Sequence, residues 1–206
     1  MMKSKSFVVA AVIAMAGWTA TAFAQDVERG VELYRAFKFA EAEQVLVEAA
    51  QADRENVRAL EFLGLSQLGL GKTREAEETL NKAHDLAPES DSVKVAQARV
   101  SIEAQQLERA ESLLGDAASI NKDNPEIALY MGAIKLAQRN YQGAVNDLNT
   151  ALSMKTTNPY AHYYAGLAWN GLKKPDRMVD NFQAFLRLAP DAPEAARVRS
   201  LLRAVR

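Results

Sequence analysis

Residues 57–90 read VRALEFLGLSQLGLGKTREAEETLNKAHDLAPES. Leu60, Leu63, Gly64 and Leu68 recur at intervals of three and four, which sets them on one side of a helix, and the pattern breaks at Gly71-Lys72. A second helix opens at Thr73, an acceptable N-cap residue, with Glu75, Glu77 and Glu78 near its positive end. Ala76, Leu80, Ala83 and Leu86 share its apolar face, and Pro88 closes it. The stretch is therefore predicted to be a helical hairpin.

Shifting this frame by 34 residues in either direction finds the same features without an insertion or deletion. A small residue recurs in the first helix as Gly30, Gly64, Ala98, Gly132 and Gly166. In the second helix Ala42, Ala76, Ala110 and Ala144 recur, then Leu46, Leu80, Leu114, Leu148 and Phe182, then Ala49, Ala83, Ala117 and Ala151. Small residues let two helices approach closely, and a large residue between them plugs the gap. A 34-residue helix-turn-helix period with this arrangement resembles the tetratricopeptide repeat. The resemblance implies an all-α, right-handed solenoid of about five hairpins at 25–56, 57–90, 91–124, 125–158 and 159–192, with a capping helix at 193–206. It also implies a surface for other proteins, with no cofactor and no metal.

The N-terminus differs in kind. Lys3 and Lys5 precede an apolar run from Phe7 to Trp18, and Ala22-Phe23-Ala24 supplies small residues around a short aromatic, the pattern of a secretory leader (residues 1–24) cut between Ala24 and Gln25. The alternative is an uncleaved anchor, since Ser6 to Gln25 has no charge and is just long enough to span a bilayer. Gly17, Thr19 and Thr21 weaken that apolar stretch, so removal is expected, and export to the periplasm of a Gram-negative bacterium or outside the cell follows. Cleavage removes two lysines and no acid. The whole chain has 25 basic and 26 acidic residues, so nothing drives phosphate-backbone binding and nucleic acid is not an expected partner. Cysteine is absent, which excludes disulfides, thiolate catalysis, Cys-based metal sites and lipid attachment.

The repeats vary along the chain. In the first, Asp26 can cap a helix carrying Val27, Gly30, Val31 and Tyr34, the turn is Phe37-Lys38, and Arg54 stands in place of the closing proline. The third is the least typical and is read as a weaker link: Lys94 and Gln97 occupy positions usually large and apolar, and its turn, Gln105-Gln106, has no glycine. The fourth and fifth open with Asn124-Pro125 and Asn158-Pro159, a capping residue followed by proline. In the fifth, Met178 and Phe185 replace the two alanines, so its hairpin should pack at an altered angle. Asp191 and Glu194 form a variant of a capping box. The tail then offers Ala196, Leu201, Leu202 and Val205 for burial and Arg197, Arg199, Arg203 and Arg206 to solvent.

No catalytic constellation stands out. Gly69-Leu70-Gly71-Lys72-Thr73 ends like a phosphate-binding loop, but Ser66 replaces the glycine such a loop needs and the approach is helical, so it reads as a turn. His84 and His162 lie in different repeats without ligand-spaced partners, and no nucleophile elbow occurs. The chain is not expected to be an enzyme.

In the family resembled, first helices line a concave groove. Carried over residue by residue, that surface comprises Val27, Val31 and Tyr34; Arg58, Glu61, Leu65 and Leu68; Val95, Arg99 and Ile102; Leu129, Ala133 and Leu136; and Tyr160, Tyr163 and Leu167. Val27 and Val31 stand where carboxylate-clamping members need lysine and asparagine. A mostly apolar groove rimmed by Arg35, Arg58, Arg99 and Glu126 suits an amphipathic helix or an apolar segment of a protein partner. Many of these side chains could instead only pack between adjacent first helices. The reading is a non-catalytic adaptor or assembly factor; the alternatives are a scaffold that self-associates into a homo-oligomer and, more remotely, an exported enzyme subunit. Membrane contact is expected only through an uncleaved leader.

Overall fold

A computed structural model describes residues 25–204. Among the described residues all regular structure is helical: α1 over 25–35, α2 (Phe39–Ala52), α3 (Val57–Gly69), α4 (Thr73–Leu86), α5 (Asp91–Glu103), α6 (Leu107–Ile120), α7 (Pro125–Ala137), α8 (Tyr141–Ser153), α9 (Tyr160–Gly171), α10 (Pro175–Leu188) and α11 (Ala195–Ala204). The helices form successive helix-turn-helix repeats of an all-α solenoid, followed by a single helix. The chain divides into two compact units between Leu86 and Ala87: α1 to α4 in the first and α5 to α11 in the second.

Within each hairpin the small residue of the first helix receives the large residue of the second. A Cβ added at Gly64 would lie 2.6 Å from Leu80 Cγ, and one at Gly132 2.6 Å from Leu148 Cγ. At Gly166 the ring of Phe182 comes closer still. Leu46, Leu80, Leu114, Leu148 and Phe182 are all fully buried, as are the alanines that flank the leucines. Removing the Cβ lets the backbones approach until dispersion contacts fill the seam. A second pairing runs between hairpins: Phe39 of α2 lies against Gly69 of α3, and Tyr141 of α8 against Gly171 of α9. A ring thus packs on a bare backbone wherever α2 or α8 meets the next first helix.

Every hairpin turn has the same geometry. Phe37, Gly71, Gln105, Arg139 and Lys173 all take positive φ, from 57° to 74°, so only one of the five positions uses glycine. Each donates its N–H to the carbonyl three residues back, and the next residue donates to the carbonyl five back, as in Phe37 to Tyr34 at 3.0 Å and Lys38 to Leu33 at 2.9 Å. These two bonds satisfy carbonyls that the helix end would leave open. A glycine is therefore not needed to form the turn at Gln105, although an L-residue is strained there. Gln105→Gly and Arg139→Gly should each raise stability by about 1 kcal/mol, read as a higher denaturant midpoint at unchanged slope. An unchanged or lower midpoint in both would remove the strain argument.

The first helices are capped by side chains that also tie neighbouring repeats together. Asn124 Oδ1 accepts from the Glu126 N–H at 2.9 Å while its Nδ2 donates to Asp91 Oδ2 at 2.9 Å. Asn158 does the same one repeat later, accepting from the Tyr160 N–H and donating to Glu126 Oε2 at 2.6 Å. Asn56 and Ser90 cap α3 and α5.

Several local expectations are corrected. Thr73 is the first residue inside α4 rather than its cap, and Lys72 precedes it. Gln25 and Asp26 are already helical, so Asp26 does not cap α1. In α11 the buried residues are Ala195 and Val198, while Ala196 is exposed and Leu201 and Leu202 are half-buried. Ala195 and Val198, three residues apart, take the buried face, and Ala196, one position on from Ala195, is turned about 100° away from it. Among the described residues neither Asp191 nor Glu194 makes the side-chain-to-backbone bond of the expected box, and the Glu194 carboxylate accepts from Tyr160 Oη at 2.8 Å. The third hairpin packs as closely as the rest, with Ala110, Leu114 and Ala117 at zero exposure. Val205, Arg206 and residues 1–24, over which the leader and Ala24 of its cleavage site are expected, lie outside the described residues. Among the described residues no helix is long and apolar enough to cross a membrane.

Candidate partner-binding surface

Burial divides the predicted groove residues. In the first unit Val27, Val31 and Leu65 are buried, Tyr34, Glu61 and Leu68 are half-buried, and Arg58 is exposed. In the second, Val95, Leu129, Ala133 and Tyr163 are buried; Arg99, Ile102, Leu136, Tyr160 and Leu167 are half-buried. The buried set holds neighbouring helices together and offers a partner almost no area. Any contact with another protein through these helices falls to the half-buried and exposed set.

In the first unit the Tyr34 ring meets Phe62 edge-on at 5.4 Å and Phe39 at 5.7 Å, and the Arg58 guanidinium lies 5.6 Å from the Phe62 ring centre. Arg58 also pairs with Glu28 at 3.1 Å across adjacent first helices. Both partners are at least half exposed, so the pair adds little to stability. It does orient the guanidinium.

The second unit holds a larger aromatic cluster. Tyr160, Tyr163 and Tyr164 of α9 meet one another with ring centres 5.4 to 6.0 Å apart, and Phe185 of α10 lies 5.2 Å from Tyr163. Arg99 of α5 stacks over Tyr130 of α7 at 5.2 Å, an attraction between a cation and the negative face of a ring. Burial pushes the hydroxyls of Tyr160 and Tyr164 far above the usual tyrosine range, and the Glu194 carboxylate adds to the effect at Tyr160. Burial also raises Tyr163, against the opposing influence of Arg197. These tyrosines are neutral. Tyr160 donates to Glu194, which fastens the start of α11 to α9.

Glu126 of the expected rim and Lys72 of the glycine string are already engaged. Glu126 accepts from Thr156 Oγ1 at 2.8 Å and from Asn158, so its carboxylate joins repeats instead of facing a ligand. Lys72, at the end of the loop-like glycine string, pairs with Glu43 at 2.8 Å, and the neighbouring N–H groups bond to carbonyls of α3. That turn has no free cradle for a phosphate. Among the described residues no group of three or more His, Cys, Asp or Glu could hold a metal. His162 Nδ1 lies 3.1 Å from Asn181 Oδ1, a packing contact between α9 and α10. The sequence reading missed Tyr130 and Tyr164. Aligned in the 34-residue frame they fall at one position with Phe62 and Ala96, and the three rings there were the available signal.

Residues 67–134 match the family model for the tetratricopeptide repeat. The fold is similar to TTC0263, a thermophilic tetratricopeptide-repeat protein of Thermus thermophilus, with 20% identity, a TM-score of 0.75, and coverage of 87% of this chain and 98% of that one. A chain of the APC/C hetero-tetramer Cut9-Hcn1 matches at 17% identity and a TM-score of 0.70, over 82% of this chain and 34% of that one. MamA matches at 21% identity and a TM-score of 0.51, over 77% and 93%. At these identities the likeness is one of fold. Repeats of this kind are generally non-catalytic modules that bind peptides or proteins. The small-to-large seams and the turns recur along the described residues, and residues 67–134 carry the sequence match to the tetratricopeptide repeat.

Proposed function

We propose that this chain is an exported, non-catalytic adaptor or assembly factor that acts in the periplasm and holds an apolar or amphipathic segment of a protein partner against α5, α7 and α9. The observation that carries the reading is the half-buried row of Ile102, Leu136 and Leu167, with Arg99 and Tyr160 beside it. These residues keep accessible apolar area on a surface already held rigid by the side chains beneath, so a partner would not have to order it. Aromatic and arginine side chains are the types that anchor interfaces. Export rests on the leader ending at Ala24.

The test is capture of partners from a periplasmic fraction by the wild-type protein and by Leu136→Lys/Leu167→Lys. The expected result is loss of capture with an unchanged helical spectrum. Undiminished capture by a folded double variant would remove this surface. The intact mass of the captured bait should correspond to a chain starting at Gln25, and a membrane-bound chain retaining Met1 would overturn export. Concentration-dependent sedimentation abolished by the same substitutions would assign the surface to self-association.

A further inference from the structure

The first unit carries a furrow on the side of α3 away from Arg58, Glu61 and Leu65. Its floor is Leu60 and Leu63, its walls are α2 and α4, and it encloses about 590 Å³. Val47 lines the α2 wall, and Leu86 lines the α4 wall with 43% of its surface exposed. Moving by the 34-residue frame, the two floor positions become Lys94 and Gln97, then Ala128 and Met131, then His162 and Ala165. The floor is doubly leucine only here. The position is therefore not an automatic product of the repeat.

The rim gives the furrow a charge preference. Arg54 and Lys82 stand exposed on opposite walls, and neither makes an ion pair among the described residues. Asp85 is the single acid among the lining residues, so the rim keeps a net positive charge. One wall is α2 from Val47 to Gln51, continued by Arg54 in the turn that follows, and the other is α4 from Thr79 to Leu86, about two helical turns or ~12 Å. Two helices lying side by side over a third leave a ridge-bounded trough, a shape that receives another helix.

We infer that this furrow docks an amphipathic helix of another protein, its apolar stripe on the accessible side chains of Val47, Ala50 and Leu86 above the buried floor of Leu60 and Leu63, and its flanking carboxylates opposite Arg54 and Lys82. The apolar residues of such a helix recur at i, i+4 and i+7, which suits a two-turn trough. The site shares no residue with the α5, α7 and α9 surface.

Two fluorescein-labelled helical peptides with the same leucine stripe, one flanked by glutamates and the other by lysines, test this by anisotropy with the purified protein. The glutamate peptide is expected to bind about ten-fold more tightly. That preference should invert in Arg54→Glu/Lys82→Glu, whose changes are both at exposed positions. Leu86→Lys should abolish binding of either peptide, and Leu136→Lys should not. Equal affinity for the two peptides, or an unaltered preference in the charge-reversed variant, would overturn the proposal. So would loss of binding in Leu136→Lys alone, which would place the peptide on the other surface. A concentration-dependent dimer dispersed by Leu86→Lys would also overturn it, because a second copy would then be the occupant.

Discussion

Leu129→Ser combined with Tyr163→Ser will unfold the second unit. Leu129 has no exposed surface and Tyr163 only 6%, and both lie on first helices inside the packed interior. Truncating a buried leucine costs about 2–5 kcal/mol, and burying a hydroxyl without a partner adds roughly 1–3 more. Tyr163 also supplies ring contacts to Tyr160, Tyr164 and Phe185 at 5.2 to 5.9 Å, all lost with the ring. Whole-domain stabilities are about 5–15 kcal/mol, so the sum approaches the total. Circular dichroism and proteolysis of the double variant should show loss of most helix C-terminal to Leu86. A cooperative melt within a few degrees of wild type would mean that neither residue supports the interior. The same pair is therefore unsuitable as a probe of partner binding, whereas Leu136 and Leu167 serve that purpose.

The two outcomes differ because of what a periodic sequence encodes. The spacing of Gly64, Ala76, Leu80 and Ala83, copied through the chain, reports contacts within one hairpin, and each copy restates them. The helices and their order were legible for that reason. The groove residues were chosen by the same frame, which fixes the face of a helix but not what covers it. Val95, Leu129 and Tyr163 share a frame position and are buried, while Glu61 at that position is half-buried. The cover comes from adjacent first helices and from side chains, such as Tyr130 and Tyr164, whose size varies between repeats. The second role of Asn124 and Asn158 was equally hidden, because their acceptors lie 32 or 33 residues away on the preceding first helix. The identity of a cap can be read locally, but its tie to another repeat cannot.

Gly166→Ala will destabilise the protein, and Phe182→Leu will rescue it. Four hairpins join a small residue to leucine, and the third does so with Ala98 opposite Leu114, so a Cβ at this seam is compatible with a leucine partner. The fifth hairpin differs. Phe182 fills the seam with a planar ring that lies closer to the position of a Gly166 Cβ than any leucine does to its own glycine. The ring is fully buried and cannot swing into solvent. Alanine gains roughly 0.5–1 kcal/mol over glycine as a helix former, but overpacking costs about 1–3 kcal/mol and should prevail here. Phe182→Leu alone leaves space beside Gly166 and is also destabilising. Together the two changes recreate the Ala98–Leu114 combination, so the double variant should be more stable than the two separate losses predict, by about 1–2 kcal/mol of coupling. Thermal or denaturant melts of the four proteins measure that coupling directly. Strict additivity would show that the backbones of α9 and α10 separate to admit the methyl group, and that the glycine is not required by the ring.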